Sequence, residues 1–170
     1  MVPAMIISVI GGEDATGDAL HIAEETGREL GKRGVTLCCG GRGGIMEAAC
    51  RGARSAGGHT IGIMPGHDPS ESPPNPSVEF PVFTGIGYAR NSAVVLTGDA
   101  VIAIDGAYGT LSEIAFALIH GVPLVGLDTW DFSYHGHDAN KIVRATSPQE
   151  AVEKAMEMAK QDRNGGGPAQ

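Results

Sequence analysis

Short apolar runs recur along the chain, and each ends at a turn signal made of Gly, Pro or Asp. The runs cover residues 5–10, 35–39, 60–64, 100–104 and 124–127. Strands that are buried on both faces of a parallel sheet have this nearly continuous apolar character. The pattern therefore predicts five strands in the centre of a parallel sheet.

Segments with helical periodicity lie between these runs. Asp18 as N-cap and Gly34 as stop delimit the first predicted helix, and further helices are expected over 45–56, 86–96 and 111–119. The segment Ser147-Pro148-Gln149-Glu150 has the pattern of a capping box and predicts a last helix. Alternating strands and helices predict a single-domain, Rossmann-like, doubly wound α/β fold, with a mainly parallel sheet and helices on both faces. We expect this domain over residues 1–161 and a disordered tail over residues 162–170.

Residues 65–81 interrupt the alternation with a proline-rich segment that holds six of the ten prolines. A loop of this length in a compact domain is usually functional or mobile. Because it follows the third predicted strand, it should lie at the carboxyl edge of the sheet, where ligands bind in such folds.

Three strand-to-helix turns are rich in glycine, and in a parallel sheet they all emerge on that same edge. Glycine lets the backbone approach a ligand closely, and a helix N-terminus offers free N–H groups and a partial positive charge. The turns therefore predict a binding site for a phosphate group. The candidate ligand-binding residues are Gly11, Gly12, Gly40, Gly41, Arg42, Gly43, Gly44, Gly106, Ala107, Tyr108, Gly109 and Thr110.

Several common sites that use glycine turns or lysines do not fit the spacing. The turn after the first strand reads GGEDATG rather than G-x-G-x-x-G, and no acid ends the second strand, which disfavours NAD. No lysine follows a glycine turn as a P-loop requires. A pyridoxal enzyme needs a lysine for its Schiff base, and the lysines all lie outside the glycine turns, at Lys32, Lys141, Lys154 and Lys160.

Charge and cysteine content limit the classes of binding partner and the cellular compartment that we expect for this protein. The net charge of -8 leaves no basic face for general nucleic-acid binding, although a local turn can still bind a small anion. The N-terminal segment has neither a basic region nor an apolar run long enough for a signal peptide or membrane span. Three cysteines without framework spacing indicate reduced thiols. We therefore expect a cytoplasmic protein with a small-molecule ligand and with neither nucleic-acid nor membrane partners.

Three segments in order resemble the signature segments of the "Lonely guy" (LOG) superfamily: GGRGGIMEAACRGARSAGG at 40–58, GIGYARN at 85–91 and DGAYGTLSE at 105–113. Members often carry a lysine decarboxylase label, which the positions of the lysines disfavour. Within the superfamily the chain is most similar to the molybdenum cofactor carrier branch. The resemblance implies a Rossmann-like homodimer or homotetramer.

The phosphoribohydrolase members of the superfamily cleave the N-glycosidic bond of nucleoside 5′-monophosphates. The resemblance places their catalytic arginine and glutamate at Arg90 and Glu113, with Gly109 and Thr110 under the 5′-phosphate. A carboxylate there would stabilise positive charge on the ribose or activate water. Two departures count against hydrolysis: Asp105-Gly106-Ala107 replaces Pro-Gly-Gly, and Asn91 replaces the usual lysine.

Two main functions therefore stay open at this point. The first is a phosphoribohydrolase that needs no cofactor and uses Arg90 and Glu113. The second is a non-catalytic carrier for a phosphorylated cofactor such as a molybdopterin species, and a nucleotide sensor is a further alternative. The segment HGHD at 135–138 has no third ligand cluster, so we expect no metal site.

Overall fold

In the computed structural model, residues 4–135 and 141–165 are described, and they form one sheet covered by helices. The strands are β1 (Ile6–Gly11), β2 (Thr36–Cys39), β3 (Thr60–Met64), β4 (Phe80–Phe83), β5 (Ala100–Asp105), β6 (Leu124–Thr129) and β7 (Val143–Arg144). The helices are α1 (Asp18–Lys32), α2 (Ile45–Ser55), α3 (Arg90–Thr97), α4 (Tyr108–His120) and α5 (Pro148–Arg163), and a 3-10 turn over Gly87–Ala89 leads into α3.

The sheet has the order β4-β3-β2-β1-β5-β6-β7, and each of its six strand pairings is parallel. The chain builds outward from β1 to β4 and then crosses back to place β5 on the other side of β1. The strand order thus reverses between β1 and β5. In open α/β sheets this reversal opens a crevice for ligands at the carboxyl ends of the strands.

Two hydrophobic clusters, one on each face of the sheet, form the core. Alternate residues of β5 feed both of them: Ile102 and Ile104 belong to the cluster with α1, α2 and α5, whereas Val101 and Ala103 belong to the cluster with α3 and α4. This alternation is the two-residue period of a strand that is buried on both faces. The predicted doubly wound α/β fold, with helices on both faces, is confirmed.

Two strands at the edges of the sheet were not predicted from the sequence. β4 includes the last two residues of the 65–81 segment, so the prediction of an irregular loop was wrong at its end. Pro81 lies within β4, which is an edge strand that pairs with β3. Proline has no backbone N–H to donate, and edge strands tolerate this loss. β7 has two residues, too few to produce a periodic signal.

The predicted helix boundaries differ most at the starts of α3 and α4, which lie at Arg90 rather than residue 86 and at Tyr108 rather than residue 111. Gly17, rather than Asp18, is the N-cap of α1, and Asp18 is the first helical residue, where its carboxylate favours the helix dipole. Ser147 caps α5 by accepting a hydrogen bond from the Glu150 amide, but the Glu150 carboxylate accepts from Thr146 rather than from Ser147. α5 ends at Arg163, and residues 166–170 of the predicted tail lie outside the described residues.

The three cysteines are buried and reduced. Cys38 and Cys39 contribute to opposite hydrophobic clusters, as expected for neighbours on one strand. Cys50, for which the sequence offered no partner, lies with its sulfur 3.4 Å from that of Cys39. Among the described residues, no helix is both long enough and apolar enough to cross a membrane.

The contact between α1 and α2 depends on glycines. A Cβ added to Gly27 would lie 1.9 Å from the Ala49 carbonyl oxygen, and one added to Gly52 would lie 1.9 Å from the Glu24 carbonyl oxygen. Both distances are far below van der Waals contact, so any side chain at either position forces the helices apart. We therefore expect Gly27→Ala to lower the free energy of unfolding by about 1–3 kcal/mol despite the better helix propensity of alanine.

Urea unfolding measures this change, and Gly109→Ala is the matched control. Gly109 is also helical, but no atom lies within 4 Å of its added Cβ. Its substitution should leave stability unchanged or raise it by up to about 1 kcal/mol. Equal stability of Gly27→Ala and the wild type would contradict the close packing of α1 on α2.

Candidate functional site

A cavity of about 280 Å³ opens at the carboxyl edge of the sheet, where the strand order reverses. Its walls come from the turns after β1, β2 and β3, from the 3-10 turn and the start of α3, and from the start of α4. The lining residues are Gly11, Gly12, Glu13, Asp14, Arg42, Met46, Pro65, Gly87, Tyr88, Arg90, Asn91, Ala107, Gly109, Thr110 and Glu113.

Close packing of the first two glycine turns fixes one wall of this cavity. The Ile45 amide donates to the Gly12 carbonyl over 3.0 Å, which ties the start of α2 to the turn after β1. Gly44 has a φ of 60°, and a Cβ at this position would lie 2.2 Å from the Glu13 carbonyl oxygen. Both the left-handed backbone and the lack of space therefore require glycine here.

The start of α4 forms the opposite wall. Ala107 is its N-cap and provides no side-chain cap, so α4 lacks the usual acceptor for its first amides. Gly106 precedes it with a φ of 128°, and Thr110 is buried in the first turn. These free N–H groups, together with the positive end of the helix dipole, favour an anion at this wall.

Arg90 and Glu113 form a buried ion pair in the cavity wall. Their closest atoms, Arg90 Nη1 and Glu113 Oε1, are 3.7 Å apart, and each residue is 6% exposed. Arg90 Nη2 donates to the Gly40 carbonyl over 3.4 Å. Arg90 Nε is buried and has no acceptor among the described residues. A buried guanidinium N–H without an acceptor is rare in folded proteins and is typical of a site that receives an oxygen from a ligand.

Burial controls the protonation of this pair. Loss of water raises the pKa of Glu113 to about 7, and the charge of Arg90 opposes the rise only in part. Burial likewise lowers the pKa of Arg90, against the attraction of Glu113. The guanidinium stays protonated nonetheless, because arginine does not lose its proton in folded proteins. Glu113 therefore changes charge near neutral pH, as general acids and bases do.

Asn91 links Arg90 to the first turn of α4. Its Oδ1 accepts a hydrogen bond from Arg90 Nη1, and its Nδ2 donates to Ser112 Oγ over 2.8 Å. Ser112 Oγ in turn donates to the Gly109 carbonyl over 2.7 Å. The chain of contacts connects the guanidinium to the first turn of α4. The sequence identified Asn91 only as a departure from a family pattern, and the structure shows what it contacts.

The structure brings many of the predicted residues together. Gly11, Gly12, Arg42, Ala107, Gly109 and Thr110 line the cavity with Arg90 and Glu113. The others support it from outside: Gly40 packs on Arg90, Gly44 caps α2, Gly106 precedes α4, and Gly41 accepts a hydrogen bond from the Asn75 amide. Gly43 lines a neighbouring cavity, and Tyr108 is 83% exposed beside the mouth.

Several lining residues escaped the sequence reasoning, notably Glu13, Asp14, Pro65 and Tyr88. Glu13 and Asp14 directly follow Gly11-Gly12 in the sequence. This place after the first strand could have identified them as residues of the carboxyl edge. Asp105, the first residue of the segment that departs from Pro-Gly-Gly, is exposed and is not among the residues that line the cavity.

Part of the 65–81 segment lies beside the site. Asn75 anchors it on the second glycine turn, because its Nδ2 donates to the Arg42 carbonyl over 2.8 Å. Between this segment and the turn lies a second cavity of about 240 Å³. It is lined by Glu13, Arg42, Gly43, Glu47, Glu71, Ser72, Pro73 and Asn75.

Metal ligands are not grouped in the described part of the chain. Residues 4–135 and 141–165 contain no cluster of three His, Cys, Asp or Glu side chains that could hold an ion. Of the HGHD segment, residues 136–138 lie outside the described residues.

The raised pKa of Glu113 predicts a pH-dependent contribution to stability. Its folded-state pKa of about 7 lies above the ordinary value of 4.5, so folding favours the protonated form. This stabilisation is complete below about pH 4.5 and is lost as pH rises through 7. Glu113→Gln removes the titration. Relative to the wild type, the variant should gain roughly 3 kcal/mol of unfolding free energy between pH 4.5 and pH 8.

Urea unfolding at a series of pH values measures the difference between the two proteins. Glu157→Gln, which removes an exposed carboxylate from α5, is the control and should keep the wild-type pH dependence. If the curves for Glu113→Gln and the wild type stay parallel across this range, Glu113 does not titrate near pH 7.

Several solved structures have the same fold and a similar sequence. The molybdenum cofactor binding protein of Rippkaea orientalis is 36% identical, and the match covers 96% of this chain and 99% of that one, with a TM-score of 0.82. The Moco carrier protein of Chlamydomonas reinhardtii is 31% identical, covers 94% of this chain and 99% of its own, and has a TM-score of 0.81. The fold is thus shared over nearly the whole chain.

The chain is also similar to a protein named as a phosphoribohydrolase. The probable cytokinin riboside 5′-monophosphate phosphoribohydrolase LOGL9 of Oryza sativa subsp. japonica is 33% identical over 119 residues. The match spans 66% of this chain and only 52% of the rice protein. The sequence profile of the SLOG cluster4 family matches residues 4–158. Together with the sheet order and the cavity at its point of reversal, this match shows that the chain belongs to the SLOG cluster4 family, within the LOG-like superfamily and near its molybdenum cofactor carrier branch.

Proposed function

We propose that the protein binds a nucleoside 5′-monophosphate in the cavity and hydrolyses its N-glycosidic bond. The observation that carries this proposal is the buried Arg90–Glu113 pair, which lies in the same wall as the free N-terminus of α4. An anion-binding helix end beside a carboxylate with a pKa of about 7 supplies both a phosphate anchor and an acid–base group. The name of the rice relative supports this reaction class.

The proposed anchor consists of the first amides of α4, the Thr110 hydroxyl and the Arg42 guanidinium. All three surround one cavity, and the helix dipole favours the phosphate there by roughly 0.3–2 kcal/mol. With the phosphate fixed, the ribose extends toward Arg90 and Glu113. This orientation is part of the proposal and follows from the extent of the cavity between the two groups.

The proposed reaction breaks the bond between the ribose C1′ and the base nitrogen, and the bonding electrons leave with the base. Positive charge develops on the ribose, which an ionised Glu113 stabilises. Glu113 also accepts a proton from the attacking water, whose oxygen forms the new bond to C1′. The leaving base gains a proton from solvent, and the products are the free base and ribose 5-phosphate. Arg90 positions an oxygen of the substrate.

A second candidate is a binding protein that holds a phosphorylated, molybdopterin-like cofactor without turnover. Two observations favour it: the similar structures named for molybdenum cofactor binding and carriage cover nearly the whole chain, whereas the rice enzyme matches only part of its length. In addition, Asn91 stands where the phosphoribohydrolases have a lysine, and it occupies one nitrogen of Arg90. The same anion anchor would then serve storage or transfer of the cofactor.

Substitution of Glu113 separates the two candidates. If the protein is a hydrolase, Glu113→Gln should lower kcat for base release from AMP by about 100-fold or more, with little change in Kd, because the lost group acts on the reacting atoms. Chromatography of free base and ribose 5-phosphate gives the rate, and calorimetry gives the affinity. Glu47→Gln, which removes a carboxylate outside this cavity, should retain the wild-type rate.

Base release that persists in Glu113→Gln would remove Glu113 from the reaction. Absence of base release from AMP and from other nucleoside monophosphates, together with a higher Tm in the presence of a phosphorylated ligand, would favour the carrier.

The pH dependence of turnover tests the role of Glu113 as a base. The ionised carboxylate is the active form in the proposed reaction, so kcat/KM should rise tenfold per pH unit below about 7 and level off above it. Steady-state rates with AMP between pH 5 and pH 9 provide the profile. A rate that falls as pH rises through 7 would instead assign Glu113 as an acid that protonates the leaving base.

A further inference from the structure

The two cavities at the carboxyl edge share an ion pair. Glu13 and Arg42 line both cavities, and Arg42 Nε lies 3.1 Å from Glu13 Oε1 and 3.0 Å from Oε2. Both carboxylate oxygens thus contact the guanidinium. Each side chain is about half exposed, so the pair lies at the cavity rim rather than in the core.

Arg42 is the arginine of the site whose side chain is about half exposed at the rim, where a ligand phosphate can reach it. Arg90, the other arginine of the first cavity, is buried and already contacts Asn91, Gly40 and Glu113. The Arg42 side chain donates from Nε to the Glu13 carboxylate and is 46% exposed. A ligand phosphate therefore finds its reachable arginine already paired with a carboxylate of the protein itself.

The carboxylate can leave without disturbing the fold. The backbone of Glu13 is packed against Gly44, whose added Cβ would lie 2.2 Å from the Glu13 carbonyl oxygen. The Glu13 side chain, by contrast, is 47% exposed, so it faces solvent on one side. Rotation of this side chain toward solvent would separate the pair.

We propose that Glu13 is an internal competitor for the anion site on Arg42, and that the phosphate of a bound ligand replaces it. This inference rests on the phosphate-binding part of the proposed function. Exposed ion pairs contribute little stability, so the exchange costs little for a phosphate, which carries nearly two charges and fits the arginine fork. An uncharged ligand has no group to replace Glu13. The pair therefore weakens the binding of phosphorylated ligands and leaves the binding of uncharged ones unchanged.

Calorimetric titration with AMP, with inorganic phosphate and with adenosine tests the exchange. Glu13→Gln removes the competitor and should tighten AMP and phosphate binding about two- to fivefold, the range expected for an exposed pair. Adenosine binding should not change. Arg42→Gln should weaken AMP binding, and in that background Glu13→Gln should change the affinity less than about twofold, because there is no longer a guanidinium to release.

Glu47→Gln is the matched control. Glu47 lies in the first turn of α2, beside the same glycine turn, and lines the second cavity without an ion pair to Arg42 in the described structure. If Glu47→Gln tightens AMP binding as much as Glu13→Gln does, the effect is one of net charge and the exchange is overturned.

The outcomes separate this inference from the function on which it rests. If the wild type binds AMP but Glu13→Gln binds it no more tightly, the exchange is wrong and the phosphate site stands. If every folded variant fails to bind both AMP and phosphate, the proposed phosphate site is wrong and the exchange falls with it. If Glu13→Gln still tightens AMP binding in the Arg42→Gln background, the exchange is also overturned, because Arg42 is then not the group for which Glu13 and the phosphate compete.

Discussion

A carboxylate and a guanidinium are held out of water at the point where the strand order of the sheet reverses, and the arrangement of the carboxyl edge depends on this pair. Burial of an ion costs several kcal/mol, and mutual attraction offsets the cost only if neighbouring groups complete the hydrogen bonds. At 3.7 Å the attraction between Arg90 and Glu113 is incomplete. The Gly40 carbonyl and the Asn91 amide supply part of what is missing. Because the cost of burying the Glu113 carboxylate is only partly offset, the pKa of Glu113 is raised to about 7.

The elements around the pair explain why it can be buried at all. α3 and α4 pack on the same face of the sheet. Arg90 lies in the first turn of α3 and Glu113 in the second turn of α4, so the pair connects the two helices. Asn91 and Ser112 add a second connection between the same helices. These contacts hold Arg90 at a set distance from the N-terminus of α4. This arrangement applies equally to an enzyme and to a carrier, because both need the phosphate and the buried pair in a fixed relation.

The acidic character of the chain is compatible with an anion site because the relevant field is local. The net charge is -8, yet the free amides of α4 and the guanidinium of Arg42 face one small cavity. Glu13 and Asp14 bring negative charge to the same rim. These carboxylates weaken the attraction of the cavity for anions. They offset part of the positive charge that Arg42 brings to the cavity.

Sequence alone determined the doubly wound α/β fold, because apolar runs and helical periods are local signals that burial on two faces imposes on the chain. It also located the glycine turns and, through resemblance, Arg90 and Glu113. It did not give β4 or β7, since a strand interrupted by Pro81 and one of two residues carry no period. Only the tertiary structure decided that Arg90 is buried against Glu113, that Asn91 joins it to α4, and that Glu13 pairs with Arg42 across the 29 residues that separate them. These contacts join residues that are distant in sequence, and the burial that shifts the pKa of Glu113 arises only when the sheet and its helices enclose the pair.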